Sequence, residues 1–368
     1  MSQTKPSFFQ RYLLPGFAFQ SVVIAGGYGT GRELAEFFLS EGPIGGLLAM
    51  MVVSTLIWSA VSAASFEFAR VHNAYDYRSF FQHLLGRGWF LFEICYAALL
   101  LIILAVIAAT AGSILQESFG LPYGAGVLGM MAIVGLLTFW GTGIIEKFLA
   151  GWSFVLYAVY IALVVWCFSR FGADIRAGFS LEPVGTGWVV GGIKYAAYNL
   201  ALVPAILFSV RHTKTRKEAV TAGLLTGPIA MLPALFFYLP MVGQYPHILD
   251  ETVPATFLLN LLGSPAFMIV FQIVLFGTLI ETGIGLLHAV NERLAVRFQE
   301  IGLTLPRRAR PAVAVACLAI GAVVAQFGLI ALIARGYGTL TWFFLAVFVV
   351  PVLTLGINKI LKSQRELA

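Results

Sequence analysis

A few charged side chains interrupt long apolar stretches of this sequence, and they are the residues best placed to do chemistry. Arg32, Glu33 and Glu36 follow a glycine-rich segment, whereas Lys194 and Glu281 each stand between apolar residues. Burying a charge among apolar groups is costly, so such a residue usually binds an ion, contacts a solute, carries a proton or forms an ion pair. These five residues are therefore the first candidates for a functional site.

The glycine-rich segment before Arg32 predicts a break in a helix. It reads Ala25, Gly26, Gly27, Tyr28, Gly29, Thr30 and Gly31. Each glycine costs a helix about 1 kcal/mol relative to alanine, and backbone groups freed in an apolar medium must face protein or a water-filled cavity. A helix restarting at Arg32 would direct N–H groups and its positive dipole end at the break, which suits an anion such as a carboxylate. Close packing of helices through small residues is the alternative.

A second discontinuity is predicted near Tyr198 and Asn199. Asn199 is a polar residue in an apolar stretch, and Pro204 removes a helix donor five residues later. A break here would leave carbonyl groups and the Asn199 amide facing a site. The alternative is a helix kinked at the proline, with Asn199 bonded to another helix. Tyr28, Tyr195 and Tyr198 flank the two breaks and could contact a solute or cover an ammonium group by cation–π attraction.

Composition shows which medium surrounds these residues. Of the 368 residues, 60% are apolar and 11% are charged, whereas soluble domains average about 25% charged residues. A soluble enzyme, a nucleic-acid binder and a disordered chain are all excluded by this deficit. The net charge of +6 would suit an anionic partner, but in a membrane protein basic residues more often set orientation.

Ten windows are long and apolar enough for helices that cross a bilayer, which takes about 20 residues. They are 12–39, 44–69, 89–115, 122–140, 147–169, 188–210, 219–241, 264–290, 311–333 and 338–358. The connections between them are too short for a folded soluble domain. The sequence therefore predicts an all-α integral membrane protein with a single domain, 1–368.

The placement of lysine and arginine predicts the orientation of these spans. With the N-terminus in the cytoplasm, eighteen of the 23 Lys and Arg residues fall in inner segments, and only Arg170, Arg176 and Arg335 fall in outer ones. This bias follows the positive-inside rule and places both termini in the cytoplasm. The basic stretch 211–217 is accordingly interpreted as a cytoplasmic anchor and not as a nucleic-acid patch.

The ten windows divide into two halves of similar length, 12–169 and 188–358. Because each half has five spans, the second half must enter the membrane from the opposite side. Inverted repeats of this kind are typical of secondary transporters, whose substrate site lies near the midplane between the repeats and is formed by broken helices. The two predicted breaks fall in the first span of each half.

The motifs at both breaks resemble the YkvI-type family of bacterial membrane proteins, which has the LeuT-type fold of the amino acid–polyamine–organocation superfamily. The run from Ala25 to Glu33, followed by Phe37 and Phe38, is similar to the glycine-rich pattern of the family's first span, and Tyr195 to Asn199 is similar to its Y-x-x-Y-N pattern in span 6. The resemblance covers nearly the whole chain. It implies a 5+5 inverted repeat with helices 1 and 6 broken, and a transporter of amino acids or related amines. Arg32 and Lys194 depart from the family pattern, which commonly has glutamine where Arg32 stands.

The resemblance also assigns a role to Glu281. In the LeuT-type fold this part of span 8 faces span 1, at a site that holds sodium in many members. Glu281, Thr278 and Thr282 could provide the oxygen ligands that hard cations prefer. Alternatively, a carboxylate removed from water can carry a proton itself, and a purely structural carboxylate is a third interpretation.

The remaining charged residues suggest a gate. Lys194 has the depth to pair with Glu33 or Glu36, beside Arg32, and we expect such a pair to form and break on the outer side during transport. A static structural pair is the alternative.

The resulting prediction is a secondary active transporter, not an enzyme, in the bacterial cytoplasmic membrane. It would move an amino acid or related small amine by alternating access, coupled to Na⁺ or H⁺. Alternatives are a carrier of quaternary amines or other organic cations, and a sensor of the same fold that does not transport. The expected partners are the lipid bilayer and a small-molecule substrate, with no cofactor and no metal site, because Cys95, Cys167 and Cys317 show no paired spacing.

Overall fold

The computed structural model describes residues 7–24, 26–140, 142–300, 302, 306 and 309–367. Ala25, in the predicted glycine-rich break, lies outside these residues. The described chain is helical, with no strand in these ranges. In chain order, its helices are α1 (9–23), α2 (Gly26–Gly29), α3 (Arg32–Phe37), α4 (Pro43–His72), α5 (Tyr77–Leu85), α6 (Trp89–Phe119), α7 (Tyr123–Trp140), α8 (Thr142–Gly178), α9 (Trp188–Leu200), α10 (Val203–His212), α11 (Arg216–Val242), α12 (Pro254–Leu262), α13 (Pro265–Glu300), α14 (Ala309–Ala325) and α15 (329–367).

Several of these helices are long and apolar enough to cross a membrane. Six in the described ranges qualify by themselves, and α9 with α10 would make a seventh as one bent span. Two further apolar helices are shorter, Tyr123–Thr138 and Ala309–Ala325. Helical segments lie in each of the ten predicted windows, but the number of ten spans and the 5+5 repeat remain predictions.

The first span is interrupted at the glycine-rich segment, as the sequence predicts. α1 ends at Val23, and Ile24 leaves the helical region with ψ 84°. After the four residues of α2, Gly31 takes φ +80° and begins α3. A side chain rarely adopts this left-handed conformation, so the sharp turn requires glycine.

The second discontinuity falls slightly later than predicted. α9 continues to Leu200, and α10, a 3₁₀-helix that starts at Val203, bends away from it by 65°. The prediction of free carbonyls at Tyr198 and Asn199 is wrong, because these carbonyls accept the N–H groups of Ala201 and Leu202 at 3.2 and 3.0 Å. The last turn of α9 tightens, and its hydrogen bonds between residues three apart pair the carbonyl groups that a complete break would have left free.

The predicted boundary between the last two windows is also wrong. α14 ends at Ala325, and α15 begins at Leu329 after Gly328 with φ +81°. The stretch 334–337, interpreted from sequence as an outer loop containing Arg335, is helical. The chain turns at Gly328 because this glycine has a positive φ, which other residues rarely adopt, whereas Gly336 lies within the π-helical segment Leu332–Tyr337. The correction places Tyr337 inside a helix, where it is buried.

Helices α4 and α11 pack closely through small residues. A Cβ added at Gly223 would collide with the backbone of Ser62 and Ala63, and one at Gly227 would collide with Ser59 and the Thr55 carbonyl. The Ser59 hydroxyl also donates to the Leu224 carbonyl at 2.8 Å. Close backbone approach through glycine is a common way for membrane helices to associate.

This packing gives a test of the fold. Gly223→Ala should destabilise the protein by about 1–3 kcal/mol, because the added methyl group meets rigid backbone. Thermal unfolding of the purified protein, followed by tryptophan fluorescence, should show a Tm lower by a few degrees. Gly129→Ala is the matched control, since a Cβ there meets nothing within 4 Å. An unchanged Tm in Gly223→Ala would contradict the packing.

Candidate functional site

A cavity of about 550 Å³ lies against both helix discontinuities. Its lining includes Phe17, Ala205 and Ala289, which lie towards the end of the helices where Arg11 pairs with Glu218 and Arg293 pairs with Glu93; this end is called the terminal face below. Ligand sites for small molecules have this size and combine apolar walls with a few polar groups. Its polar lining consists of Ser21, Glu33, Tyr96, Tyr157, Tyr198, Asn199, Thr278, Glu281, Thr282 and Tyr337.

The cavity brings together six of the sixteen residues predicted to act. Those that line it are Glu33, Tyr198, Asn199, Thr278, Glu281 and Thr282. Those that are absent from its described lining are Gly26, Gly27, Tyr28, Gly29, Thr30, Gly31, Arg32, Glu36, Lys194 and Tyr195. Tyr28 instead lines a neighbouring, mainly apolar cavity of about 580 Å³ between α1, α8 and α11.

Glu33 is the most enclosed carboxylate of this site. Its residue is only 3% exposed, and Oε2 accepts a hydrogen bond from the Tyr198 hydroxyl at 2.5 Å. Its other oxygen lies against Gly27, where an added Cβ would collide with Oε1. The carboxylate of Glu33 therefore folds back into the interruption of the first span, a place that only a glycine at position 27 leaves open.

Buried tyrosines surround this carboxylate. The rings of Tyr198 and Tyr337 stack with centroids 4.6 Å apart, and Tyr195 meets Tyr198 edge-on at 5.7 Å. The hydroxyl groups of Tyr28 and Tyr195 are buried and have no hydrogen-bond partner in the described part of the chain. Unpaired buried hydroxyls are costly, and they are available to a ligand or to water.

The glycines of the motif allow close contacts with other helices. A Cβ at Gly26 would approach Leu279 at 2.8 Å, and one at Gly29 would approach Leu275 at 3.0 Å. The Tyr160 hydroxyl donates to the Gly29 carbonyl. Close packing, the alternative considered from the sequence, thus operates alongside the break.

Arg32 is absent from the described lining of the cavity and holds the loop at Leu249 and Glu251. Its guanidinium donates to the carbonyls of Leu249 and Glu251 at 2.6 and 2.9 Å, and it pairs with Glu36 at 2.9 Å. Next to it, the Thr30 carbonyl accepts the Ala255 N–H at 2.9 Å. The segment 247–255 is thereby fastened to the first span on the face opposite the termini, called the distal face below.

The predicted ion pairs of Lys194 are not formed in this conformation. Glu36 pairs with Arg32 and Glu33 accepts from Tyr198, while no ion pair of Lys194 occurs among the described residues. The Lys194 carbonyl accepts the Thr341 hydroxyl at 3.0 Å. A gate through Lys194 stays a prediction for another conformation.

Glu281 faces the cavity from α13 without a hydrogen bond or ion pair to any described residue. Thr278 and Thr282 donate to carbonyls of their own helix at 3.1 and 2.9 Å, which leaves oxygen lone pairs for a ligand. The last turn of α1, where helix carbonyls lack intrahelical partners, lines the same cavity.

Two ion pairs lie on the terminal face. Arg11 of α1 pairs with Glu218 of α11 at 2.9 Å, and Glu93 of α6 pairs with Arg293 of α13 at 3.3 Å.

Sequence reasoning missed Tyr337 and Tyr96 as cavity residues. Tyr337 falls in the stretch 334–337, which the sequence assigns to a loop between the last two windows. Tyr96 lies within an apolar window, and no neighbouring residue in the sequence indicates that it faces a cavity. No group of three or more His, Cys, Asp or Glu side chains suited to a metal ion is found in the described ranges.

The sequence was compared with protein-family models and with curated proteins. No family model matches the chain. It is 23% identical over 297 residues to the uncharacterized membrane protein YkvI of Bacillus subtilis (strain 168), covering 80% of this chain and 83% of that protein. The chain is homologous to YkvI, as its motifs suggest.

Solved structures of transporters share its fold. A manganese transporter of Eremococcus coleocola superposes with a TM-score of 0.58 at 18% identity, over 96% of this chain and 80% of that one. MhsT in complex with L-phenylalanine gives a TM-score of 0.56 at 14% identity, over 99% of both chains. Mhp1 in its inward-facing conformation gives 0.52 at 17% identity, over 92% of this chain and 73% of that one. The overall fold is therefore of the LeuT type, and the solved proteins that share it are transporters rather than enzymes.

Proposed function

We propose that this protein is a secondary active transporter that moves an amino acid or a related small amine across a membrane by alternating access. The supporting observation is the cavity at the two helix discontinuities, together with the contacts by which Arg32 and Thr30 hold the segment 247–255 against the first span. A carrier must expose one site to each side in turn. In this proposal the contacts of Arg32 and Thr30 close the distal face, and the cavity is reached from the terminal face.

In this proposal, the polar residues that line the cavity divide into a substrate site and an ion site. Glu33, Tyr198 and Asn199 would contact the substrate, because they line the cavity at both discontinuities. Glu281, Thr278 and Thr282, opposite the last turn of α1, would hold the coupling ion, either Na⁺ or H⁺. The distribution of Lys and Arg supports a bacterial cytoplasmic membrane with both termini inside.

Counterflow in proteoliposomes tests the proposal. Vesicles preloaded with an unlabelled amine or amino acid should accumulate the same labelled compound, and imposed Na⁺ or H⁺ gradients should drive net uptake. Manganese(II) belongs in the same screen because one of the proteins of this fold is a manganese transporter. A ligand that binds without counterflow would instead support the sensor, and the absence of both would reject the transporter.

A carrier of quaternary amines or other organic cations is the second candidate. The stacked rings of Tyr198 and Tyr337 beside the Glu33 carboxylate favour it, because aromatic faces attract cations that cannot donate hydrogen bonds. Choline in the same counterflow assay distinguishes it.

Glu281→Gln should remove the ion dependence of transport. The amide keeps the size of the side chain but loses its charge and its capacity to carry a proton. We expect uptake driven by an ion gradient to fall about tenfold or more, while counterflow, which needs no gradient, falls less. Glu182→Gln, at an exposed position, is the control. Normal uptake with unchanged ion dependence in Glu281→Gln would exclude the coupling role.

A further inference from the structure

The carboxylate of Glu33 lies where the sequence predicts a substrate carboxylate. The glycine-rich motif predicts that an anion binds in the interruption before Arg32. In the structure, the carboxylate of Glu33 itself occupies that place. Gly27 makes room for one oxygen, and Tyr198 donates to the other at 2.5 Å. A second carboxylate here would meet like charge at close range, which disfavours both ionised groups.

The charges around the cavity are unbalanced. Its described lining includes the carboxylates of Glu33 and Glu281 and contains no Lys, Arg or His. Arg32 is adjacent in sequence, but its guanidinium is used by Leu249, Glu251 and Glu36 on the distal side. A carboxylate as enclosed as Glu33 requires a proton or a cation as partner.

The surroundings of Glu33 suit an ammonium group attached to an apolar body. Side-chain oxygens of Asn199, Thr278 and Thr282 line the same cavity and can accept N–H groups. The Tyr337 and Tyr198 rings offer faces to a cation. The rest of the wall is apolar, with Leu99, Ile103 and Leu156 among its residues.

From this geometry we infer that the substrate is a small cationic amine without a carboxylate, held by Glu33 through its ammonium group. The inference rests on the proposed transport function and narrows its substrate class. A zwitterionic amino acid would present its carboxylate to a cavity whose described lining has two carboxylates of its own and no Lys, Arg or His to receive it.

Pairs of compounds that differ only in the carboxylate test this directly. Purified full-length protein is heated with phenethylamine or phenylalanine, tyramine or tyrosine, and cadaverine or lysine. At saturating concentration the amine should raise Tm by at least about 3 °C, because a ligand that binds only the folded state stabilises it. The parent amino acid of each pair should leave Tm unchanged.

Two variants connect the effect to this site. Glu33→Gln should abolish the shift caused by the amine, and Tyr198→Phe, which removes the donor to the carboxylate, should reduce it. If Glu33→Gln does not fold, the reduced shift in Tyr198→Phe still tests the role of the Glu33 carboxylate. Glu182→Gln, at an exposed position outside the cavity, should keep the full shift.

Each outcome separates this inference from the proposed function. Equal or larger shifts with the amino acids would overturn the amine assignment and leave an amino acid transporter standing. A full shift with the amine in Glu33→Gln would overturn it as well. If no compound of either class shifts Tm, the amine assignment is rejected, and a further lack of counterflow for both classes would reject transport itself.

Discussion

Replacing Gly27 with alanine should lower counterflow of phenethylamine by about tenfold or more while the protein still folds. The added Cβ would collide with the carboxyl group of Glu33, so this side chain must swing away and lose its hydrogen bond from Tyr198. A hydrogen bond to a charged group contributes about 1.5–3 kcal/mol, which corresponds to roughly ten- to hundredfold in rate.

Gly26→Ala is the matched control for this prediction. Its one close contact would be with the far end of the Leu279 side chain, because Thr110 and Ile107 stand at ordinary contact distances of 3.7 and 3.9 Å. A shift of that methyl group relieves the contact, so counterflow should fall little. A double-mutant cycle of thermal stability adds a second test. Because Glu33→Ala removes the atoms with which the new Cβ collides, Gly27→Ala should change Tm little in the Glu33→Ala background. Equal losses in Gly26→Ala and Gly27→Ala would refute the explanation.

Replacing Arg32 with glutamine should open the distal face. Two hydrogen bonds of its guanidinium hold the segment 247–255 against the first span, and the ion pair with Glu36 on the same helix fixes the group in place. Glutamine cannot reproduce the planar fork that makes these contacts. If the loss weakens the closed state by about 3 kcal/mol, the ratio of open to closed molecules rises roughly hundredfold.

A cysteine at Ala255 reports this opening. Ala255 is fully buried, and its N–H donates to the Thr30 carbonyl. In a background without the native cysteines, a hydrophilic maleimide should label Ala255→Cys in nanodiscs slowly, and Arg32→Gln should speed the labelling strongly. Arg335→Gln, at an exposed arginine, should leave the rate unchanged. Unaltered labelling in Arg32→Gln would show that Arg32 does not hold the loop.

The sequence predicts features that depend on local chemistry. The glycines of the first break are visible because a left-handed turn at Gly31 excludes other residues, and Glu281 with Thr278 and Thr282 is visible because polar groups in apolar stretches are few. Glu281, Thr278 and Thr282 line the cavity together with Tyr198 and Asn199, whereas the glycines of the break are absent from its described lining. Substrate binding and ion coupling at them remain predictions.

Other features depend on contacts between distant parts of the chain. Nothing near Arg32 in the sequence indicates that it binds the carbonyls of Leu249 and Glu251, because any carbonyl can accept from a guanidinium. The partner of Glu33 could not be predicted either, since Lys194 and Tyr198 lie on the same helix one turn apart. The sequence does not indicate the boundary at Gly328, because Gly336 and Gly338 follow within ten residues and only the fold decides which glycine turns the chain.

The tight contact of Gly223 with Ala63 has a consequence for measuring motion in this protein. Two helices whose backbones touch through glycine, with no long side chains between them, cannot slide or tilt past each other without collision. Helices α4 and α11 therefore form a rigid reference frame. Displacements of the first span or of α13 during a transport cycle are therefore best measured after superposition on α4 and α11. This superposition removes the rotation of the whole molecule and leaves only the internal motion.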